Sequence, residues 1–347
     1  MADNVLTRRE AVARVRALIP GQAAAPRLAP REQLVNVLEY EEQAKAMLAA
    51  DVYALITGGD RSTFDRMTLR PRMLQPTVDL SLGLTLCGDS LFAPVLVGPI
   101  ANQRQFHRDG ELATVAGASA AKAAMVVSSR SSVPVGEILS KAGSPIWYQV
   151  FANDPMAKAL ARDAAKAGCR AICVTIGVPL DGKSARPVAA DLKVDWATVD
   201  AIARDSGLPV LAKGVTTPEA ARIAVQHGVQ GVIVSHYRGL PKPDEGAAVL
   251  ALPAIVDAVG RQVPVLADGS FRRGTDILKA LALGARAVLV GRPVMWGLAA
   301  YGADGVRGVI EMLQTELARY MAMCGQSNLQ MLDRSMVRVH APVRRKA

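Results

Sequence analysis

The stretch VPVLADGSFRRGTDILKALALGARAVLVGRP, residues 263–293, contains a complete strand, loop, helix and strand, in the order that decides the fold. Val263 to Asp268 is a short apolar run ending in a polar loop. Thr275 to Leu283 is an alanine- and leucine-rich helical stretch, and Ala287 to Gly291 is a second apolar run. Two strands separated by a helix read as a βαβ unit with parallel strands, since an antiparallel pair would need only a tight turn.

The same alternation recurs outward from this unit. Strands are expected at Val95 to Gly98, Ala124 to Val127, Ile146 to Val150, Ala171 to Thr175, Val210 to Lys213 and Gly231 to Ser235, which with the first two makes eight. Helices are expected at Gly110 to Lys122, Val135 to Ala142, Pro155 to Ala167, Asp195 to Ser206, Pro218 to His227 and Gly246 to Val259, with a last long one from about Asp304 to Cys324. Eight such units close most naturally into an α/β fold of the (β/α)8 TIM-barrel type, with a short helical N-terminal segment; an open doubly wound sheet is the alternative. A barrel would carry its active site at the C-terminal ends of the strands.

Composition narrows the function. The 347 residues are 50% hydrophobic and only 4% aromatic. No apolar run reaches the ~18 to 20 residues that a membrane span needs. The net charge is +10, but residues 1–32 hold six Arg against three acids, and residues 334–347 hold four Arg and one Lys against none. The excess therefore sits in the terminal arms, which argues for solvated tails and against a nucleic-acid surface. The expected organisation is a basic arm over 1–34, the barrel over 35–334 and a basic tail over 335–347. Arg8-Arg9 faintly suggests an export signal, but Arg14 and Arg16 fall where an apolar region should be. Cys87, Cys169, Cys173 and Cys324 have neither metal-site nor disulfide-scaffold spacing, so no metal centre and a reducing, cytoplasmic setting are expected.

The strand ends gather Pro99 and Ala101, Ser128 and Arg130, Gln149 and Phe151, Thr175, Lys213, Ser235 and Tyr237, Asp268, and Gly291 with Arg292. Each alone could be a turn or capping residue; together they converge on one mouth. The loop Asp268 to Gly274 and the stretch Val290 to Pro293 follow the last two strands, where barrels commonly bind phosphate through backbone N–H groups and a helix N-terminus. Their arginines add bidentate donors for a phosphate monoester. A flavin fits this arrangement, with amide and hydroxyls at its pyrimidine edge and Lys213 beside the ring. One phosphate site favours FMN. No G-x-G-x-x-G turn follows a strand, so a Rossmann site has no support.

From about Val35 to Arg334 the chain resembles the FMN-dependent 2-hydroxy-acid oxidases and dehydrogenases, the group of glycolate oxidase, lactate oxidase and mandelate dehydrogenase. The motifs that carry the resemblance are Glu39-Tyr-Glu-Glu, Leu69-Arg-Pro-Arg72, Pro94-Val-Leu-Val-Gly-Pro99, Leu211-Ala-Lys-Gly-Val215, Ala224-Val-Gln-His-Gly228, Asp268 to Asp276, and Lys279 to Ala285 leading to Gly291-Arg-Pro293. The resemblance implies FMN contacts from Pro99, Ile100 and Ala101 on the central ring, and from Ser128, Gln149, Thr175, Lys213 and Ser235 along the pyrimidine and ribityl side. Asp268, Gly269, Ser270, Arg272, Gly291 and Arg292 would hold the ribityl chain and phosphate. It also implies a small-molecule substrate and a homotetramer.

The substrate side departs from that pattern. Where the family carries a Tyr-Tyr pair this chain has Leu55-Ile56; a second active-site tyrosine is Phe151; the aspartate two positions after Thr175 is Gly177; and an expected arginine falls on Ser184, with Arg186 near. Ser-Asn-His-Gly-x-Arg becomes Ser235-His-Tyr-Arg-Gly-Leu240, which puts Tyr237 at the catalytic histidine and Leu240 at the carboxylate-binding arginine. Side chains alternate along an extended segment, so Tyr237 should share the direction of Ser235 and His236 should point away. Arg130 takes a place usually filled by an aromatic residue and, with Arg186 or Arg238, could rebuild an anion site. Tyr237, Lys213, Arg130 and His236 are thus the candidate catalytic residues. Three readings stay open: an oxidoreductase for a non-standard anionic substrate, a true 2-hydroxy-acid oxidase with a rearranged base, and a flavin-binding pseudoenzyme or partner subunit.

Overall fold

The structure, a computed structural model, describes residues 28–59, 61–71, 77, 79–176, 196–236 and 248–341. Eight strands form a closed barrel: β1 Val95–Val97, β2 Met125–Ser128, β3 Ile146–Phe151, β4 Ile172–Thr175, β5 Val210–Val215, β6 Gly231–Val234, β7 Val265–Asp268 and β8 Ala287–Val290. Each pairs in parallel with the next, and β8 closes on β1 through Val288↔Val95 to Val290↔Val97. The closed circuit excludes the open doubly wound sheet. Observed strand limits lie within two residues of those expected from sequence.

Strand alternation sorts the core into two parts. Leu96, Ala124, Val126, Trp147, Cys173, Leu211, Ile233, Leu266 and Leu289 fill the barrel interior. Their neighbours Val95, Val97, Met125, Val127, Ile172, Val174, Val232 and Val234 face the surrounding helices. Both faces are apolar, so the strands read as unbroken hydrophobic runs, as parallel barrel strands do. A two-stranded hairpin, Leu84–Leu86 with Asp89–Leu91, adds its leucines to the interior cluster. Asp89 anchors it, accepting from Trp147 Nε1 at 3.3 Å and from Arg170 Nε at 2.9 Å.

The last helix begins earlier than its sequence suggests. It spans Arg292–Met323, not Asp304 to Cys324, and is interrupted at Tyr301 and Gly302, whose backbone is not helical. Gly302 has φ of 59°, a left-handed conformation that glycine adopts without steric cost, so the two halves turn against each other. They pack closely enough that a Cβ on Gly305 would stand 2.0 Å from the Gly297 carbonyl oxygen. Gly305→Ala is therefore expected to destabilise the fold by about 3 kcal/mol or more, the range of severe overpacking. A chemical-denaturation midpoint equal to wild type would show that the halves do not meet this way.

Parts of both basic arms lie against the barrel. Tyr301 donates to the Ala29 carbonyl at 2.8 Å, Leu34 is buried, and Val337–Val339 pairs antiparallel with Met67–Leu69. All four cysteines are free, and among the described residues no helix is long and apolar enough to cross a membrane. No metal-binding cluster occurs among them either.

Candidate active site

The inward-facing positions become polar at the C-terminal ends of the strands. In β3 the interior series Trp147, Gln149, Phe151 passes from core to site; in β5 Leu211 is followed by Lys213; in β7 Leu266 is followed by Asp268. Period-two alternation thus delivers six polar side chains to one mouth without interrupting the apolar packing below.

These side chains form two connected groups. Ser128 donates its hydroxyl to Gln149 Oε1 at 3.0 Å, and Gln149 Nε2 donates to Thr175 Oγ1 at 2.9 Å. All three residues are buried. Lys213, also buried, reaches Ser235 Oγ at 3.0 Å and Asp268 Oδ2 at 2.6 Å. The second pair is a short, charge-assisted contact with the half-buried carboxylate that offsets the burial of the ammonium. Pro99, Ile100 and Ala101 line the adjoining edge, half-buried, at the end of β1.

A third group is cationic. Arg272 is buried, stacks on Trp296 with its guanidinium carbon 4.7 Å from the ring centre, and donates to the Gly58 and Phe271 carbonyls at 2.9 and 3.0 Å. Trp296 is itself held by a 2.9 Å bond to the Ile56 carbonyl. A Cβ on Gly59 would meet Arg292 Nη2 at 2.8 Å and Arg272 Nη2 at 2.9 Å, so both guanidinium groups converge where the N-terminal segment crosses the mouth. Burial, and then the neighbouring charge of Arg292, push the Arg272 pKa down to about 9, and burial lowers that of Arg292. A buried and a half-buried cation side by side cost energy that an anion between them would offset. Gly269, with φ of 109°, and Ser270, with φ of 60°, turn the loop after β7 beside this pair. Gly291 caps the helix that begins at Arg292 and leaves its first N–H groups without a side-chain cap.

The sequence profile described as FMN-dependent dehydrogenase matches residues 57–194 and 186–339. The chain belongs to this family. It is 35% identical over 349 residues to a peroxisomal (S)-2-hydroxy-acid oxidase of Oryza sativa subsp. japonica, covering 87% of this chain and 95% of the relative. It is 35% identical over 356 residues to an L-lactate oxidase of Nostoc sp., with 87% and 98% covered. The solved structure of mandelate oxidase with (S)-2-phenylpropionate superposes with a TM-score of 0.78 at 34% identity, over 87% of this chain and 98% of that one.

As a member of the FMN-dependent dehydrogenase family the protein is an FMN-dependent oxidoreductase, and its own donor set suits that cofactor. The convergent arginines match a phosphate monoester. The buried Ser128, Gln149 and Thr175 chain, and the cation of Lys213, suit a polar heterocycle edge.

The substrate side divides into what lies within the described residues and what does not. Arg130 is half-buried and stacks over Phe151, with its guanidinium carbon 4.4 Å from the ring centre. His236 is half-buried beyond the end of β6. Ile56 is buried and Leu55 exposed. Tyr237, Arg238 and Leu240, and likewise Gly177, Ser184 and Arg186, lie outside the described residues.

Several site-building residues were given no role by the sequence reading. Asp276 accepts from the backbone N–H groups of Arg272 and Arg273, both at 3.0 Å, and pairs with Arg61 at 3.1 Å, fixing the arginine loop. The Gly58-Gly59 pair was the available hint that backbone passes close to something bulky.

Proposed function

We propose that the protein oxidises an anionic substrate other than the simple 2-hydroxy acids, binding its negative charge through Arg130. The observation that carries this reading is the Arg130 guanidinium held over the Phe151 ring, its carbon 4.4 Å from the ring centre, at the ends of β2 and β3. An arginine oriented by an aromatic face presents its planar fork to a carboxylate or phosphate with little further loss of freedom. β2 and β6 stand on opposite sides of the eight-stranded circuit, so this charge enters the mouth across from the end of β6.

In this reading Arg272 and Arg292 hold the cofactor phosphate. Ser128, Gln149, Thr175 and Ser235 hold its polar edge, and Pro99, Ile100 and Ala101 line its ring. Asp268, Gly269, Ser270 and Gly291 complete the cradle. Bound FMN supplies a two-electron acceptor. Lys213, oriented by Ser235 and Asp268, keeps positive charge beside the ring, and Tyr237 holds or donates the proton at the substrate oxygen. A cytoplasmic location and a homotetramer belong to the same reading; size-exclusion chromatography with light scattering checks the second.

Anaerobic titration of the FMN-loaded protein tests the substrate assignment. Glycolate, lactate and mandelate are expected to leave the flavin absorbance unbleached, while 2-hydroxy acids bearing a second anionic group reduce it. Rapid bleaching by any of the first three would overturn the reading in favour of an ordinary 2-hydroxy-acid oxidase. Failure of every acid, with full FMN occupancy and normal photoreduction, would favour a flavin-binding partner subunit.

A further inference from the structure

Glu111 is the second residue of the helix Gly110–Ala120 and is fully buried, yet the site described above does not use it. Among the described residues no ion pair holds its carboxylate. Oε1 instead accepts from the backbone N–H groups of Gln103 at 3.1 Å and Ser132 at 2.9 Å, and Oε2 accepts from the Ser132 hydroxyl. Gln103 lies in the loop after β1, which carries Pro99, Ile100 and Ala101. Ser132 lies in the loop after β2, which carries Arg130.

Neighbouring bonds tie the same two loops together. Asn102 N donates to the Arg130 carbonyl at 2.9 Å and Arg104 N donates to Ser132 Oγ at 3.2 Å, while within the β1 loop Gln103 Nε2 donates to the Ile100 carbonyl at 3.3 Å. A Cβ on Gly110 would stand 2.8 Å from Arg104 Cγ and 3.2 Å from Ser132 Oγ, so the start of the helix is wedged between the loops. A buried carboxylate is costly unless its acceptor sites are filled, and here filling them requires both loops in one register.

We propose that Glu111 is a positioning residue, whose buried carboxylate locks the β1 and β2 loops together and thereby fixes the direction of Arg130. This rests on the reading that Arg130 meets the substrate anion. Glu111 itself touches no substrate. Its effect should reach the ligand only through Arg130.

The test uses FMN-loaded protein and malonate as a dianionic probe, followed by the change it causes in the flavin spectrum. Arg130→Met is expected to weaken malonate binding about tenfold or more, as loss of a charge-assisted contact does. Glu111→Ala is expected to weaken it about tenfold through misplacement of the guanidinium. Glu111→Gln should bind like wild type, since its amide oxygen still accepts from both N–H groups and its NH2 can donate to Ser132 Oγ. The double variant Glu111→Ala/Arg130→Met should bind no more weakly than Arg130→Met alone. Additive losses, or wild-type binding by Glu111→Ala, would overturn the proposal. Should Glu111→Ala not fold, Ser132→Ala, which removes the Oε2 partner, takes its place in the same cycle.

Failure of the underlying reading looks different. If malonate does not perturb wild type, or Arg130→Met binds it unchanged, the Arg130 assignment falls. Crystal structures then decide Glu111 alone: Arg130 displaced from Phe151 in Glu111→Ala but not in Glu111→Gln supports it, and Arg130 in place in both overturns it.

Discussion

Replacing Arg272 by methionine is expected to give a folded barrel that no longer retains FMN, with affinity lowered about a hundredfold or more, the scale of a lost bidentate phosphate contact in a buried site. The fold should survive because the substitution removes a buried cation from beside Arg292 and leaves the stacking partner Trp296 in place. Arg272→Lys should recover only part of the affinity, since an ammonium keeps the charge but loses the fork that bonds the Gly58 and Phe271 carbonyls. Fluorescence titration of free FMN onto apoprotein reads both effects, and circular dichroism confirms the fold. Wild-type affinity in Arg272→Met would mean that the phosphate is held elsewhere. FMN should also raise the Tm of wild-type apoprotein more than that of the variant, because ligand binding to the native state alone is stabilising.

The reason the convergence of these side chains was legible from sequence is geometric. A barrel strand buried on both faces must be apolar until its last inward position, so a polar residue that ends such a run marks the mouth. Gln149, Thr175, Lys213 and Asp268 each stand at such a point, and the structure brings the last two within 2.6 Å of each other. Relations that depend on distant backbone were not legible. The pairing of Arg61 with Asp276 and the convergence of Arg272 and Arg292 on Gly59 join residues more than two hundred positions apart. The Glu111 clasp spans fewer residues, but it consists of backbone N–H donors, which carry no residue identity. The kink at Tyr301 and Gly302 hid the first part of the last helix for a related reason: Gly-Ala-Asp-Gly reads as a helix start, and only packing shows that helix already precedes it.

Tyr237→Phe is expected to slow flavin reduction by the true substrate on the order of a hundredfold or more, the usual contribution of a positioned acid or base, while His236→Ala changes it little. The alternation in β6 supports this ranking. Ile233 belongs to the interior cluster, Val232 and Val234 to the outer one, and Ser235 Oγ turns inward to Lys213 Nζ at 3.0 Å. Continued one residue past Ser235, the same alternation turns His236 outward. Tyrosine has an ordinary pKa of ~10, so as a hydrogen-bond donor it stays protonated, and the reduction rate should be level through neutral pH. A histidine base would instead give a rate that rises as pH passes its ordinary pKa of ~6.5, because only the neutral imidazole accepts a proton. Stopped-flow reduction of both variants across pH separates the two cases. Loss of reduction in His236→Ala alone, with a rise through that range in wild type, would reverse the facing argument and return the role of base to the histidine.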